Sequence, residues 1–105
     1  MNINPRSIGK QIIELSRSFP CIMLTGARQT GKSTLLKSLM PEEMNYVSLD
    51  DFRAVDEAKA DPIGFLEERG TPLCIDEIQY VPELMRAIKM KVDAEPDKMG
   101  MYWLT

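Results

Sequence analysis

The stretch of sequence that decides the fold reads Gly26-Ala27-Arg28-Gln29-Thr30-Gly31-Lys32-Ser33. It has the form G-x-x-x-x-G-K-[ST], which is the phosphate-binding P-loop. An apolar run, Cys21-Ile22-Met23-Leu24, comes directly before it, and a helical pattern over residues 35–40 follows it. Since a strand before the loop and a helix after it are the expected context of a P-loop, the stretch predicts a nucleoside triphosphate site.

Each residue type in the motif suits the binding of a triphosphate with Mg²⁺. Glycine at positions 26 and 31 lets backbone N–H groups approach the phosphates, because a Cβ would block them. We expect Lys32 to contact the β- and γ-phosphates, in binding and in catalysis, and the Ser33 hydroxyl to ligate Mg²⁺. Arg28 is open to two interpretations, a contact with phosphate or a partner and a solvated loop residue. The residues predicted to bind the nucleotide are Gly26, Ala27, Arg28, Gln29, Thr30, Gly31, Lys32, Ser33 and Thr34.

A second motif, Pro72-Leu73-Cys74-Ile75-Asp76-Glu77, is an apolar strand that ends in two carboxylates. A P-loop protein needs an acidic residue near Mg²⁺ at the carboxyl end of a neighbouring strand, and Asp76 is predicted to fill that role through a metal-bound water. Glu77 is placed to polarise a water for attack on the γ-phosphate. A small-molecule kinase does not need that second carboxylate, so the motif favours ATP hydrolysis. A nucleotide-dependent switch with negligible turnover and, less favoured, a P-loop kinase remain as alternatives.

Apolar runs alternate with helical patterns along the rest of the chain. This order predicts an α/β fold, the three-layer sandwich of P-loop NTPases with a mostly parallel sheet. We treat residues 1–105 as one domain, with a leading helix in 1–20 and the core in 21–105. The predicted helices are 5–18, a helix ending near 39, 52–60 capped by Asp50-Asp51, 62–69 between Asp61 and Gly70, and one beginning at Pro82. The predicted strands are 21–25, 45–49, 73–76 and 101–104.

The helix that begins at Pro82 is predicted to bury Leu84, Met85, Ile88 and Val92. The polar residues 93–98 that follow are predicted to form a loop.

Composition narrows the range of partners. The net charge is −3 and the sequence contains no histidine, so neither nucleic acid binding nor a zinc or iron site is indicated. The sequence has neither a span-length apolar stretch nor a signal peptide, so we expect no membrane association and a cytoplasmic location. Cys21 and Cys74 fall in strands predicted not to be neighbours, so we expect both thiols to be free.

Three ordered segments resemble the AAA-type ATPase domain, of the AAA_14 type, found in prokaryotic predicted ATPases. They are the P-loop segment from Leu24 to Ser33, the segment Tyr46-Val47-Ser48-Leu49-Asp50-Asp51, and residues 75–84. The resemblance covers nearly the whole chain. It implies ATP binding and hydrolysis, ATP and Mg²⁺ as ligands, a conformational change driven by turnover, and a further C-terminal domain of unknown function as a partner.

The resemblance also shows a departure at the last strand. In the family this strand continues into a polar sensor residue, whereas the sequence here ends at Thr105. We therefore expect the chain to be the N-terminal portion of a larger ATPase, truncated before the last core strand. In such proteins the last strand here, 101–105, lies between strands 21–25 and 73–76, and the next strand covers the other side of 21–25. An exposed strand at that edge predicts self-association of the isolated chain.

Overall fold

The computed structural model describes residues 5–24 and 37–105. Helices α1 to α4 span Pro5–Ser18, Phe52–Ala60, Pro62–Arg69 and Leu84–Ala94. Strands β1 to β4 span Cys21–Met23, Asn45–Ser48, Leu73–Asp76 and Tyr102–Leu104. A 3₁₀ helix, Ile78–Tyr80, lies between β3 and α4, and residues 37–39 are helical.

The described strands form one sheet in the order β1-β4-β3-β2, and every neighbouring pair is parallel. One row of the sheet consists of Ile22, Trp103, Cys74 and Tyr46, which lie side by side across the four strands. The prediction that the last strand pairs with both the first strand and the strand ending at Asp76 is confirmed. All carboxyl ends consequently meet at one edge of the sheet, which we call the carboxyl edge.

Apolar side chains cover both faces of the sheet, which confirms the predicted three-layer α/β sandwich. One face packs against α2, α3 and α4 through residues such as Ala58, Phe65 and Leu84. The other face packs against α1 and residues 39–44 through a smaller cluster of buried residues: Ile12, Ile22, Met44, Cys74 and Trp103. Strands that are buried on both faces lack an alternating pattern, which is why they read as continuous apolar runs in the sequence.

The predicted signals at the ends of α2 and α3 are present in the structure. The Asp51 carboxylate accepts a hydrogen bond from the Arg53 backbone N–H at 2.9 Å. Asp61 caps α3 in the same way, accepting from the Gly64 N–H at 3.0 Å. Gly70 ends α3 with a φ of 70°, a conformation that glycine adopts without steric cost. Side-chain caps and a terminal glycine therefore set these boundaries, as the sequence indicated.

Other predicted boundaries were wrong. Helix α4 begins at Leu84 rather than Pro82, because Pro82 and Glu83 form a turn in which the Leu84 N–H donates to the Val81 carbonyl at 3.1 Å. It continues to Ala94, so part of the predicted polar loop is helical. Met85, predicted to face the core, is 40% exposed, and Ala87 is buried instead. Leu84, Ala87 and Ile88 have the spacing of one helix face, and Met85 lies outside that face.

The strands are also shorter than predicted. Strand β1 ends at Met23, β2 at Ser48, and β4 begins at Tyr102. Leu24 still extends the ladder, since its N–H donates to the Leu104 carbonyl at 2.7 Å. Thr25, the last residue of the predicted first strand, lies outside the described residues.

The two cysteines occupy separate strands, as predicted. Cys21 lies in β1 and Cys74 in β3, with β4 between them, and both are free thiols. Within the described part of the chain, no helix has the length and hydropathy needed to cross a bilayer.

Candidate functional site

Three polar residues lie side by side at the carboxyl edge of the sheet. Ser48 of β2 is in register with Asp76 of β3. Thr105 follows β4 directly, and its N–H donates to the Ile75 carbonyl at 3.0 Å, which places it beside Asp76 on the other side. Because side chains alternate along a strand, Asp76 shares a face with Cys74, the face covered by α1 and residues 39–44. We call Ser48, Asp76 and Thr105 the polar row.

Asp76 is almost fully buried, with 9% of its surface exposed, and both carboxylate oxygens accept hydrogen bonds. The Tyr46 hydroxyl donates to Oδ2 at 2.7 Å, and the Glu77 backbone N–H donates to Oδ1 at 2.9 Å. Both donors are uncharged. No lysine or arginine of the described residues forms an ion pair with Asp76. A buried carboxylate held only by neutral donors is suited to a site at which a cation arrives with the ligand.

Tyr46 stays a proton donor in this pair. Burial raises the pKa of Tyr46 above its ordinary value, and the hydrogen bond to Asp76 and the charge of that carboxylate raise it further. Lys37 Nζ lies 5.2 Å from the centroid of the Tyr46 ring, which is a cation–π contact. Tyr46 therefore connects the chain that follows the P-loop motif to the predicted metal-binding carboxylate.

Glu77 has an unusual backbone conformation, with a φ of 58° and a ψ of 46°. A residue with a Cβ adopts this left-handed conformation at a cost of about 1–2 kcal/mol. The turn leads straight into the 3₁₀ helix, and the Ile78 N–H donates to the Thr105 carbonyl at 2.9 Å, which ties the turn to β4. The Gln79 side-chain amide donates to Glu77 Oε2. Strained backbone at the carboxyl end of a buried strand is typical of functional sites.

The P-loop motif itself, Gly26 to Ser33, lies outside the described residues, as does Thr34. The roles predicted for Lys32, Ser33 and their neighbours therefore stay predictions. The described chain reaches Leu24, which is hydrogen-bonded at the carboxyl edge of the sheet. Asp76 lies at the same edge, two strand spacings away from β1, or about 10 Å. The motif thus begins on the correct side of the sheet for a shared site with Asp76.

The donor set fits Mg²⁺ better than a metal held by the protein alone. Among the described residues, no group of three or more Cys, Asp or Glu side chains is arranged to hold a metal ion. Mg²⁺ is usually bound by one or two carboxylates together with substrate phosphates and several waters. One buried carboxylate, Asp76, with the Ser33 hydroxyl predicted from the motif, matches that pattern.

Sequence reasoning missed Tyr46, Ser48 and Thr105 as members of this site. Thr105 is 7% exposed, and its hydroxyl has no hydrogen-bond partner among the described residues. The missing signal was the register of β2 against β3, which places Ser48 beside Asp76 and Tyr46 one pleat earlier on the same face. Once that register is known, the alternation of side chains predicts the contact.

The parallel sheet order, the two covered faces and the carboxylate-ending central strand define an α/β domain of the P-loop NTPase type. The profile of the AAA domain family, of the AAA_14 type, matches residues 18–105. The chain belongs to this family, which is a nucleotide-binding class. The family resemblance found in the sequence is thereby confirmed, whereas the expected C-terminal domain stays a prediction.

Two curated relatives are the uncharacterized proteins Mb2031c of Mycobacterium bovis and Rv2008c of Mycobacterium tuberculosis. Each is similar to this chain at 31% identity over 115 residues. The match covers 96% of this chain but only 26% of either relative, so the chain spans about a quarter of their length. No solved structure gives a significant match.

Proposed function

We propose that this domain binds ATP with Mg²⁺ and that the whole protein hydrolyses ATP to drive a conformational change. The observation that carries the proposal is the position of Asp76 and Glu77. They stand at the carboxyl end of β3, on the same edge of the sheet at which β1 leads toward the P-loop motif. Ligands of open α/β sheets bind outside this edge. The two free cysteines suit a reducing, cytoplasmic setting.

In this proposal the binding of the triphosphate is divided between the P-loop and the polar row. Lys32 and the backbone N–H groups of residues 26–33 hold the β- and γ-phosphates. Ser33 and Asp76 would hold Mg²⁺. When bound, Mg²⁺ neutralises negative charge that develops on the phosphate oxygens.

Glu77 acts as the general base. The left-handed turn takes its side chain off the line of β3, and Gln79 orients the carboxylate by donating to Oε2. The carboxylate takes a proton from a water as the water oxygen forms a bond to the γ-phosphorus. The bond from that phosphorus to the bridging oxygen breaks, and ADP leaves with the electron pair. The products are ADP and phosphate.

A charge-neutralising change at Glu77 separates hydrolysis from binding. Glu77→Gln in the whole protein should retain ATP affinity and lower the hydrolysis rate roughly a hundredfold. Asp76→Asn should weaken Mg²⁺-dependent binding as well. Glu83→Gln is the matched control, because Glu83 is exposed and its side chain makes no capping hydrogen bond. The hydrolysis rate is measured as steady-state phosphate release, with and without phosphoryl acceptors. The ATP affinity is measured by equilibrium binding.

An unchanged hydrolysis rate in Glu77→Gln removes Glu77 from the reaction. Negligible turnover of the native protein together with tight, Mg²⁺-dependent binding favours the nucleotide switch over the ATPase. Transfer of phosphate to an added acceptor favours the kinase.

A further inference from the structure

We infer that Tyr46 is a positioning residue, one that fixes the carboxylate of Asp76 in the orientation needed to bind Mg²⁺ with the nucleotide. The inference rests on the proposed function, and it adds a residue outside both sequence motifs. Tyr46 belongs to β2, which is an outer strand of the sheet, on the opposite side from β1.

The register of the sheet makes the contact possible. Tyr46 lies beside Cys74, two residues before Asp76 and on the same face. Its side chain extends along that face toward the carboxyl edge, and its hydroxyl reaches Asp76 Oδ2 at 2.7 Å. A tyrosine is long enough to span one pleat of the neighbouring strand, whereas a serine or threonine at this position would be too short.

Within the described residues, two hydrogen bonds orient the carboxylate of Asp76. The Glu77 N–H holds Oδ1 at 2.9 Å, and this bond alone allows the carboxylate plane to rotate. The Tyr46 hydroxyl holds the second oxygen. Among the described residues it is the only side-chain donor to Asp76. Loss of the hydroxyl therefore removes the only side-chain restraint on this group within that part of the chain.

A neutral donor suits this role better than a cation. An arginine or lysine beside Asp76 would compensate its charge and weaken the attraction for Mg²⁺. The phenol donates one hydrogen bond, leaves the carboxylate charge in place, and leaves a lone pair on Oδ2 for a metal-bound water. Groups that orient a metal ligand in this way typically change metal affinity by about 10- to 100-fold when they are removed.

The ring of Tyr46 also has a cationic neighbour. It is 40% exposed at the edge of the sheet, yet Lys37 Nζ lies 5.2 Å from the ring centroid. Lys37 follows the P-loop motif by a few residues in the sequence. Tyr46 thus contacts the predicted metal-binding carboxylate through its hydroxyl and a residue that follows the P-loop motif through its ring.

The test replaces Tyr46 with phenylalanine, which removes the hydroxyl and retains the ring. Binding of a fluorescent ADP analogue is measured at increasing Mg²⁺ and, separately, without divalent metal. The Mg²⁺ concentration for half-maximal binding should rise on the order of tenfold in Tyr46→Phe, while metal-free ADP affinity stays unchanged. Tyr80→Phe is the matched control, since Tyr80 is exposed at 45% and makes no side-chain hydrogen bond within the described residues.

A double-mutant cycle with Asp76→Asn distinguishes positioning from a general loss of stability. If Tyr46 acts through Asp76, Tyr46→Phe should not change the Mg²⁺ dependence in the Asp76→Asn background. Thermal unfolding of each variant shows whether the fold is retained.

A Tyr46→Phe chain that titrates with Mg²⁺ as the native chain does overturns the inference and leaves the proposed function intact. So does an equal effect of Tyr46→Phe in both backgrounds. A native chain that shows no Mg²⁺-dependent binding overturns the proposed function, and this inference with it.

Discussion

Trp103 of β4 donates a hydrogen bond from its indole Nε1 to the Ser16 hydroxyl of α1 at 3.0 Å, across 87 residues of chain. Trp103 is fully buried in the smaller apolar cluster. The bond therefore satisfies a donor that has no access to water and fastens α1 over the centre of the sheet.

We predict that Ser16→Ala destabilises the fold by about 1–3 kcal/mol, because the buried indole N–H loses its acceptor. Ser18→Ala, at the exposed end of the same helix, should have little effect. Urea unfolding of both variants with unchanged m-values measures the difference. Equal stability of the two variants would show that the Trp103 bond contributes nothing.

Two glycines with positive φ should respond differently to alanine. Gly100 has a φ of +65°, and an added Cβ would lie 3.0 Å from Ser16 Oγ and 3.1 Å from the Ser16 carbonyl oxygen. Gly70 has a φ of +70°, but an added Cβ would meet no atom within 4 Å. Both substitutions incur backbone strain, of about 1–3 kcal/mol. Gly100→Ala should lower the stability more than Gly70→Ala, since it also pushes α1 away from β4. An equal loss of stability in thermal unfolding would disprove the steric argument.

Stability should fall at alkaline pH because of Cys74. Burial, followed by the charge of Asp76, raises the pKa of this thiol from 9.0 to about 12. Well below pH 9 the thiol is protonated in both the folded and the unfolded chain. Its full contribution to the free energy of unfolding is therefore present there. Above pH 9 the unfolded chain loses the proton first, which favours unfolding until the folded thiol also ionises near pH 12.

The variant Cys74→Ala isolates this effect from the titration of other groups. Denaturant midpoints are compared at pH 7 and at successive values above pH 9. We expect a smaller alkaline loss of stability in Cys74→Ala than in the native chain. Parallel losses in the two proteins would contradict the assignment.

Much of the fold could be predicted because its signals are local. The cap at Asp51, the Asp61-Pro62 pair and the apolar run before Asp76 each determined a boundary within one residue. The strand order followed from the motif pair, since a P-loop with a carboxylate-ending strand implies a strand between them.

The remainder depended on contacts between distant residues. Nothing in the sequence around Ile78 indicates a 3₁₀ helix, because that turn is set by the hydrogen bond from Ile78 to Thr105. Tyr46 and Asp76 are 30 residues apart in the sequence, and their contact depends on the register of β2 against β3. The roles of the P-loop residues fall outside the described chain and stay predictions.

The isolated 105-residue chain is predicted to self-associate through β1. Among the described strands β1 pairs on one side only, with β4, and Met23 is 52% exposed. An apolar edge strand offers unpaired backbone groups to another chain. Met23→Lys should reduce association in light scattering, whereas Met90→Lys, at a site 63% exposed on α4, should not. A native chain that stays monomeric at micromolar concentration would disprove this prediction.

The central claim is that nucleotide binds at the P-loop motif beside Asp76, and calorimetric titration of the chain with Mg-ADP tests it most directly. The native chain should bind, and Lys32→Ala should bind about a hundredfold more weakly, a loss of ~3 kcal/mol for removing a cation from a phosphate. Lys59→Ala, an exposed lysine of α2, should bind as the native chain does. Equal affinity of the native chain and Lys32→Ala would contradict the account.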